Sequence, residues 1–153
     1  MTTVIPVDSE TSSSAIRLLV RFFAEEGFGG DQPTIAARFE ALRREPHHWA
    51  ALALDEDMPV GVITVTTNLY VEWGRMAEIA DLYVLPGHRR RGIARALIQA
   101  AVAWSRKDGC SGVAVIMTPE GEAAHGLSRF YGAQGFARTG RIISLMLLED
   151  APA

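Results

Sequence analysis

The sequence has few of the features that would assign it to a specialised class of protein. It contains one cysteine in 153 residues, which excludes an internal disulfide and favours a reducing cytoplasm. No apolar run reaches the roughly 18 residues that a membrane-spanning helix needs, and the amino terminus lacks the basic-then-apolar pattern of a secretion signal. The adjacent pair His47-His48 does not have the spacing of zinc ligands, so no metal site is predicted. We expect one domain over residues 1–153, with a core large enough to fold without a disulfide or a metal.

The charge of the chain is small and unevenly distributed. A formal net charge of -3 argues against a general nucleic-acid-binding protein. Residues 1–80 contain 6 arginines and 12 acidic residues, whereas residues 81–153 contain 9 basic and 6 acidic residues. This division suits a cationic substrate that meets a polyanionic cofactor, and the ordinary scatter of surface charge explains it equally well.

Hydrophobic periodicity predicts a mixed α/β sheet with the order β-α-α-β-β-β-α-β-α-β. The strands are predicted at 3–7, 49–54, 60–68, 76–84, 112–117 and 142–148. The helices are predicted from Ala15 until Gly27 ends the run, and at 33–44, 92–107 and 123–131. The strand at 76–84, the helix at 92–107 and the strand at 112–117 form one parallel crossover unit.

The most informative stretch is Arg89-Arg90-Arg91-Gly92-Ile93-Ala94, between a predicted strand and the strongest predicted helix. A strand that turns through Pro86-Gly87 into a helix leaves several backbone N–H groups without intrahelical partners, and the helix dipole and three arginines add positive potential. The stretch therefore predicts a cradle for a phosphate or diphosphate, although a plain β-α turn has the same pattern. The nucleoside-triphosphate loop Gly-x-x-x-x-Gly-Lys-Ser/Thr and the dinucleotide motif Gly-x-Gly-x-x-Gly are both missing.

Two motifs occur in order along the chain. Arg89, Gly92 and Ala94 form the pattern Gln/Arg-x-x-Gly-x-Gly/Ala, and Tyr131, Gly135 and Phe136 form the pattern Tyr-x-x-x-Gly-Phe. These motifs resemble those of the GNAT superfamily of N-acetyltransferases, in which the first is the acetyl-CoA pyrophosphate loop. The resemblance extends from about Met76 to Phe136. The asparagine that many relatives carry seven residues before the tyrosine is Ala124 here, followed by His125.

The resemblance implies a single-domain GNAT-like fold with a splayed central parallel strand pair, and acetyl-CoA as co-substrate with no metal. In the family, the pantetheine arm pairs with the strand backbone at Leu82 and Val84, which is strand addition to an exposed edge. The Val84 N–H would then hold the thioester carbonyl, where negative charge develops. The implied cofactor-binding residues are Leu82, Tyr83, Val84, Arg89, Arg90, Arg91, Gly92, Ile93, Ala94 and Arg95.

The same resemblance implies two catalytic residues. Tyr131 would protonate the departing coenzyme A thiolate, and the alternative is a tyrosine of the core. Glu78 lies six residues before Val84, where several family members have a general base, and the alternative is an exposed strand carboxylate. Strand alternation predicts that Asp81 points to the opposite face from Glu78, which makes it the reserve candidate.

The expected function is transfer of an acetyl group from acetyl-CoA to a primary amine of a small molecule, by direct attack in a ternary complex. The alternatives are acetylation of a protein N-terminus or lysine, and a non-catalytic module that binds acyl-CoA. The loop Phe28-Gly29-Gly30-Asp31, and Glu72 with Trp73, are candidates for the lining of the acceptor pocket, with turn packing as the alternative. Neither nucleic acid nor a membrane is expected as a partner, and a homodimer is allowed because dimers are common in the family. Cys110 is expected to be a spectator thiol.

Overall fold

In the computed structural model of the chain, which describes residues 1–148, the five strands form one mixed sheet with the order β1-β2-β3-β4-β5. The strands are β1 Thr2–Pro6, β2 Trp49–Asp55, β3 Met58–Tyr70, β4 Gly74–Val84 and β5 Gly112–Val115. Neighbouring strands from β1 to β4 are antiparallel, and β4 and β5 are parallel. The α/β class and the mixed sheet are as predicted.

The helices are α1 Ser12–Glu26, α2 Gln32–Arg44, α3 Ile93–Lys107, α4 Pro119–His125 and α5 Leu127–Ala133, with a 3-10 turn at Pro86–His88. Gly27 ends α1 in the left-handed conformation, with φ of 71°. The Asp31 side chain begins α2 by accepting a hydrogen bond from the Thr34 N–H at 2.8 Å. The helix predicted at 123–131 is two short helices, because Gly126 has φ of 59° and interrupts the run.

Helices cover both faces of the sheet. On one face α1 and α2 pack over a core of buried side chains from both layers, including Leu19, Phe39, Leu52, Val62 and Tyr83. On the other face lie the buried α3 residues Ile93, Leu97, Ile98 and Ala101. One methyl carbon of Leu97 (Cδ1) and one of Ile93 (Cγ2) lie so close to Gly61 that a β-carbon there would be 3.1 and 3.3 Å from them. The tight contact explains why this position of β3 is a glycine.

The chain divides into two compact units, residues 1–116 and residues 117–153. The first contains the sheet, α1, α2 and α3, and the second contains α4 and α5. The prediction of a single domain over residues 1–153 stays a prediction.

A β-bulge interrupts the register between β3 and β4. Thr64 pairs with Asp81 and the next residue, Val65, pairs with Ile79, so Ala80 is an extra residue on β4. Ala80 is exposed, and the alternation of β4 side chains is reset at this point.

The prediction for the carboxyl-terminal part of the sheet is wrong in three respects. Within the described residues, the segment 142–148 is in no strand, and its large apolar side chains are exposed, from 68% at Ile143 to 90% at Ile142. Because no strand pairs with β5 on its outer side in residues 1–148, the parallel pair β4–β5 lies at the edge of the sheet and not at its centre. A strand forms only where it finds a partner, and an apolar run alone does not say which partner that is. β5 is also shorter than predicted, since it ends at Val115.

Candidate functional site

The last residues of β4 have an open backbone edge. β5 pairs with β4 only from Met76 to Ile79, so the pair separates beyond that point, as a splayed pair requires. The Leu85 N–H donates to Val60 O of β3 at 2.9 Å. Because successive backbone groups alternate in direction, the N–H groups of Val84 and Leu82 point away from β3, towards the side that β5 has left. The backbone N–H groups of Leu82 and Val84 are therefore available to donate hydrogen bonds to an extended ligand.

The loop after β4 presents a row of backbone donors. Arg90 and Gly92 both have positive φ, 62° and 79°, which turns the chain sharply before α3 begins. The Ala96 N–H is the first in this helix to find its acceptor, Gly92 O at 3.0 Å. The N–H groups of residues 90–95 donate no hydrogen bond to any group in residues 1–148. This row, at the amino end of a fifteen-residue helix, has the donors and the dipole that bind a diphosphate.

Arg89 is held by its neighbours in a way that the motif alone does not indicate. Its backbone N–H donates to Pro86 O at 3.3 Å. Its side chain donates to Val84 O at 2.8 Å through Nε and to Glu25 at 3.1 Å, and its guanidinium lies 5.6 Å from the centroid of the Tyr83 ring. The Tyr83 hydroxyl also donates to Glu25, at 2.6 Å. Arg89 thus joins the end of β4 to α1, and its guanidinium is directed to these groups.

Arg91 is also paired with a carboxylate. It lies 3.1 Å from Asp55 at the end of β2, and His88 lies 3.8 Å from the same carboxylate. Arg90 and Arg95 have exposed side chains with no ion pair in residues 1–148. Of the predicted arginines, these two have guanidinium groups available for a phosphate. Glu25 and Asp55 have no sequence signal, since their partners are about 35 to 65 positions away along the chain.

Glu78 and Asp81 lie on the same face of the sheet, which corrects the prediction that they face opposite sides. Glu78 pairs with Thr66 and Asp81 pairs with Thr64, and these two threonines are two positions apart on β3. The bulge residue Ala80 supplies the extra position that brings both carboxylates to the α1–α2 face. Burial raises the pKa of Glu78. Burial also raises the pKa of Asp81, and this effect is larger than the opposing effect of the hydrogen bond from the Thr64 hydroxyl. Both carboxylates therefore have the increased proton affinity that a general base for an ammonium group needs.

A cavity of about 420 Å³ lies between α1, α2 and the sheet. Gly29 and Gly30 of the loop between the helices line it, so the loop predicted for an acceptor pocket does line a cavity. Its polar side chains are Thr64 and Asp81 from the sheet and Arg38 from α2. The rest of the lining is apolar: Leu19, Phe23, Phe28, Ile35, Phe39 and Leu42. No sequence motif indicates Arg38 or Thr64, because each residue reaches the cavity only through the packing of its helix or strand against the rest of the fold.

Tyr131 lies in the second unit, in α5, and is 5% exposed. Its ring packs edge-on against Phe130 and Phe136, with centroids 5.1 and 5.4 Å away. Burial raises the pKa of Tyr131 to about 12, so the phenol is protonated at neutral pH, as a general acid must be.

The remaining candidates have structural explanations within residues 1–148. Cys110 is half-buried, and burial raises the pKa of its thiol, which suits the predicted spectator. His47 lies 3.1 Å from Asp108. No group of three or more metal-ligating side chains occurs in the described part of the chain. None of its helices is both long and apolar enough to span a membrane.

Solved structures with the same fold include three that bear on this site. AAC(6')-Iy in complex with the bisubstrate analog CoA-S-monomethyl-acetylneamine has a TM-score of 0.83 at 20% identity, over 97% of this chain and 99% of the other. The aminoglycoside antibiotic 6'-N-acetyltransferase AAC(6')-Ih from Acinetobacter baumannii has a TM-score of 0.80 at 19% identity, over 97% and 99%. A predicted acetyltransferase with acetyl-CoA from Clostridium acetobutylicum has a TM-score of 0.78 at 17% identity, over 97% and 98%. At these identities the likeness shows the fold.

No curated protein matches the sequence. The sequence pattern of the acetyltransferase (GNAT) family, however, matches residues 14–136, which is most of the chain and includes both motifs. The chain therefore belongs to the acetyltransferase (GNAT) family and is an acetyl-CoA-dependent N-acetyltransferase.

Proposed function

We propose that this enzyme acetylates a primary amine of a small molecule, by direct attack of the amine on acetyl-CoA in a ternary complex. The observation that carries the proposal is the cavity on the α1–α2 face, which has a carboxylate from β4 in its lining. Asp81 lies three residues before Val84, about 10 Å along the strand. An amine in this cavity would thus lie within a short reach of the backbone edge at which the thioester is expected.

The donor half of the proposal is supported by the open edge of β4 and the donor row of residues 90–95. The diphosphate would accept hydrogen bonds from the N–H groups of Arg90 to Arg95, with the side chains of Arg90 and Arg95 adding attraction. The pantetheine arm would lie along Leu82, Tyr83 and Val84 as an added strand. Arg89 would act by holding the Val84 carbonyl and the loop, since its guanidinium already has three protein partners.

The acceptor half is supported by the size and chemistry of the cavity. About 420 Å³ is within the range of small-molecule sites, and its lining is largely apolar with few polar groups. Solved structures with this fold include AAC(6')-Iy and AAC(6')-Ih, which are named as aminoglycoside acetyltransferases, and aminoglycosides are small-molecule amines. A peptide acceptor would need an open cleft for its backbone.

The reaction follows from these roles. Glu78 would remove a proton from the ammonium group, directly or through a water molecule, because only the neutral amine has a lone pair to donate. The nitrogen then attacks the thioester carbon, a C–N bond forms, and the carbonyl oxygen becomes an oxyanion that accepts a hydrogen bond from the Val84 N–H. Tyr131 would donate its proton to the sulfur as the C–S bond breaks, which gives coenzyme A as a thiol. The second proton on the nitrogen would then pass through water to the Tyr131 phenolate, which leaves a neutral amide and restores the phenol.

Asp81 is a second candidate for the base, and one observation favours it. Its carboxylate lines the cavity, whereas Glu78 is not among the lining residues. The Thr64 hydroxyl holds the Asp81 carboxylate in place. Glu78→Gln and Asp81→Asn variants distinguish the two, because the variant that removes the base loses the rise of kcat/KM with pH on the acid side.

The proposal is tested by measuring thiol release from acetyl-CoA with a panel of acceptors. The panel contains alkylamines, arylalkylamines, amino acids, polyamines and aminoglycosides, and peptides with a free N-terminus or an internal lysine. We expect thiol release and an acetylated product with one class of small amine, and initial-rate lines that intersect, as a ternary complex requires. Parallel lines would indicate an acetylated enzyme and contradict direct attack.

Two other outcomes would contradict the proposed acceptor. Acetylation of peptides alone would show a protein acetyltransferase. Tight acetyl-CoA binding by calorimetry without thiol release for any acceptor would show a binding module.

A further inference from the structure

The two charged groups in the cavity lining have opposite sign. Asp81 comes from the sheet, and Arg38 comes from α2. Six apolar side chains, three of them phenylalanines, make up most of the remaining wall. A ligand that fills the cavity thus meets an anion, an apolar surface and a cation.

Asp81 has capacity for a further donor. The Thr64 hydroxyl donates to its Oδ2, and within residues 1–148 no other hydrogen bond or ion pair engages the carboxylate. An ionised carboxylate has about four acceptor positions, and a half-buried one gains most from a donor that is itself charged. An ammonium group fits this need.

Arg38 is the complementary group. Its side chain is exposed at the cavity, and it forms no ion pair within 4.0 Å and no hydrogen bond with the described residues. Its charge contributes to the lowered pKa of the nearby Asp31, but the Asp31 oxygens are engaged by the N–H and the hydroxyl of Thr34. The guanidinium is therefore available for the planar, two-oxygen contact that arginine makes with carboxylates and phosphates.

We propose that the acceptor is an amphiphilic amine that carries an acidic group at the opposite end of an apolar body. The ammonium group binds at Asp81, the acidic group binds Arg38, and the apolar body lies against the phenylalanine side chains. This inference rests on the proposed function and specifies its substrate class. A polycation fits the cavity poorly, because one ammonium group would meet Arg38 and others would face apolar walls without acceptors.

The test compares matched substrates that differ only in the acidic group. We choose para-(aminomethyl)benzoate, its amide and para-methylbenzylamine, with an aminoglycoside and a polyamine for comparison. We expect kcat/KM for the benzoate to exceed that for para-methylbenzylamine by on the order of tenfold, because a charge-assisted pair with Arg38 forms only with the acid. The polycations should be the poorest substrates.

Arg38→Gln should reduce the ratio of these two kcat/KM values to about one, and Arg38→Lys should retain part of it. Arg17→Gln, on α1 and outside the cavity lining, is the matched control and should keep the wild-type ratio. Calorimetry with coenzyme A present gives the same comparison as a binding preference, independent of turnover.

The outcomes separate this inference from the proposed function. A binding preference for the benzoate that depends on Arg38, without acetyl transfer to any small amine, supports the ligand class that the inference assigns to the cavity and contradicts the proposed function, and with it the role of this ligand as acceptor. Acetyl transfer that favours polyamines or para-methylbenzylamine, or a ratio that Arg38→Gln leaves unchanged, overturns the inference and leaves the proposed function standing.

Discussion

At the scale of single residues, Tyr131 is protonated at neutral pH, which a general acid requires and which a core tyrosine also shows. It is buried between Phe130 and Phe136, and its pKa is raised to about 12. The two roles differ only in what the hydroxyl does. Within residues 1–148 no hydrogen bond engages that hydroxyl, so its removal costs the fold little.

We predict that Tyr131→Phe lowers kcat by about 100-fold, because the thiolate then departs without a proton donor. The ring packing is retained, so the Kd for acetyl-CoA should change by no more than about twofold.

An acid loses activity as pH rises through its pKa, so with a pKa of about 12 Tyr131 produces no alkaline decline at neutral or mildly basic pH. Stopped-flow thiol release and calorimetry measure the two effects, with the exposed Tyr70→Phe on β3 as control. An unchanged kcat would remove Tyr131 from the mechanism.

A sequence motif predicts residue roles that depend on local pattern, but it does not predict contacts with distant partners. The roles of Glu78, Val84 and Gly92 are implied by the family resemblance within one motif region, and they stay predictions. The face on which Asp81 lies was predicted wrongly, since the bulge at Ala80 arises from pairing with β3 and has no signature in β4 alone. The side-chain partners of Arg89 were equally hidden, because Glu25 is 64 positions earlier in the chain.

At the scale of elements, the turn from β4 into α3 depends on Gly92. Its φ of 79° is in the left-handed region, where any side chain is strained by about 1–2 kcal/mol, and a β-carbon there would have no atom within 4 Å. The position is thus open space beside the donor row, and what fills it in the complex is expected to be the diphosphate.

We predict that Gly92→Glu weakens acetyl-CoA binding by at least about 100-fold, since it adds bulk and a negative charge where two phosphates are expected. The strain should lower Tm by only a few degrees, with the fold retained by circular dichroism. Gly92→Ala carries the strain without the charge and should bind with intermediate affinity. Gly87→Ala is the matched control, because Gly87 has neither a positive φ nor a close neighbour. Calorimetry that finds wild-type affinity in Gly92→Glu would refute the assignment of the donor row.

Elements with strong periodicity were predicted well, and elements that need a partner were not. The helix α3 begins one residue later than predicted. The strands β2, β3 and β4 differ from their predicted bounds by no more than two residues at either end. The segment 142–148 is an apolar run, as a buried strand would be, but it pairs with no strand in the described residues. Local preference specifies a strand-like segment, and only the assembled sheet decides whether an edge receives it.

At the scale of the whole molecule, the uneven charge has a partly structural origin. The cradle arginines Arg89 and Arg91, from the basic half of the sequence, pair with Glu25 and Asp55 from the acidic half. These pairs fix the loop after β4 to α1 and to the end of β2. Because these acidic residues pair with arginines of the same chain, the acidic first half of the sequence does not by itself indicate a cationic substrate. The cavity lining, which contains both Asp81 and Arg38, does not favour a purely cationic ligand either.

Within residues 1–148, the segment 142–148 and the outer edge of β5 both lack a partner. Six large apolar side chains between Ile142 and Leu148 are at least 68% exposed, which is unusual for a monomer in water. β5 presents unpaired backbone groups on its outer side within residues 1–148, and such an edge accepts a further strand. A second copy of the chain offers both features, so a symmetric pair of chains satisfies each edge with the other chain's segment. We therefore expect a homodimer.

Light scattering after size exclusion should give a dimer for the full chain and a monomer for a chain that ends at Arg141. The double variant Leu145→Lys and Leu147→Lys keeps the full length and places charge on one side of the segment, so it should also be monomeric if apolar burial drives the association. Ser144→Lys lies on the alternate side at a position that is already polar, and it should remain dimeric. A full-length chain that is monomeric at high micromolar concentration would contradict the prediction, and the exposed segment would then need a partner other than a second copy.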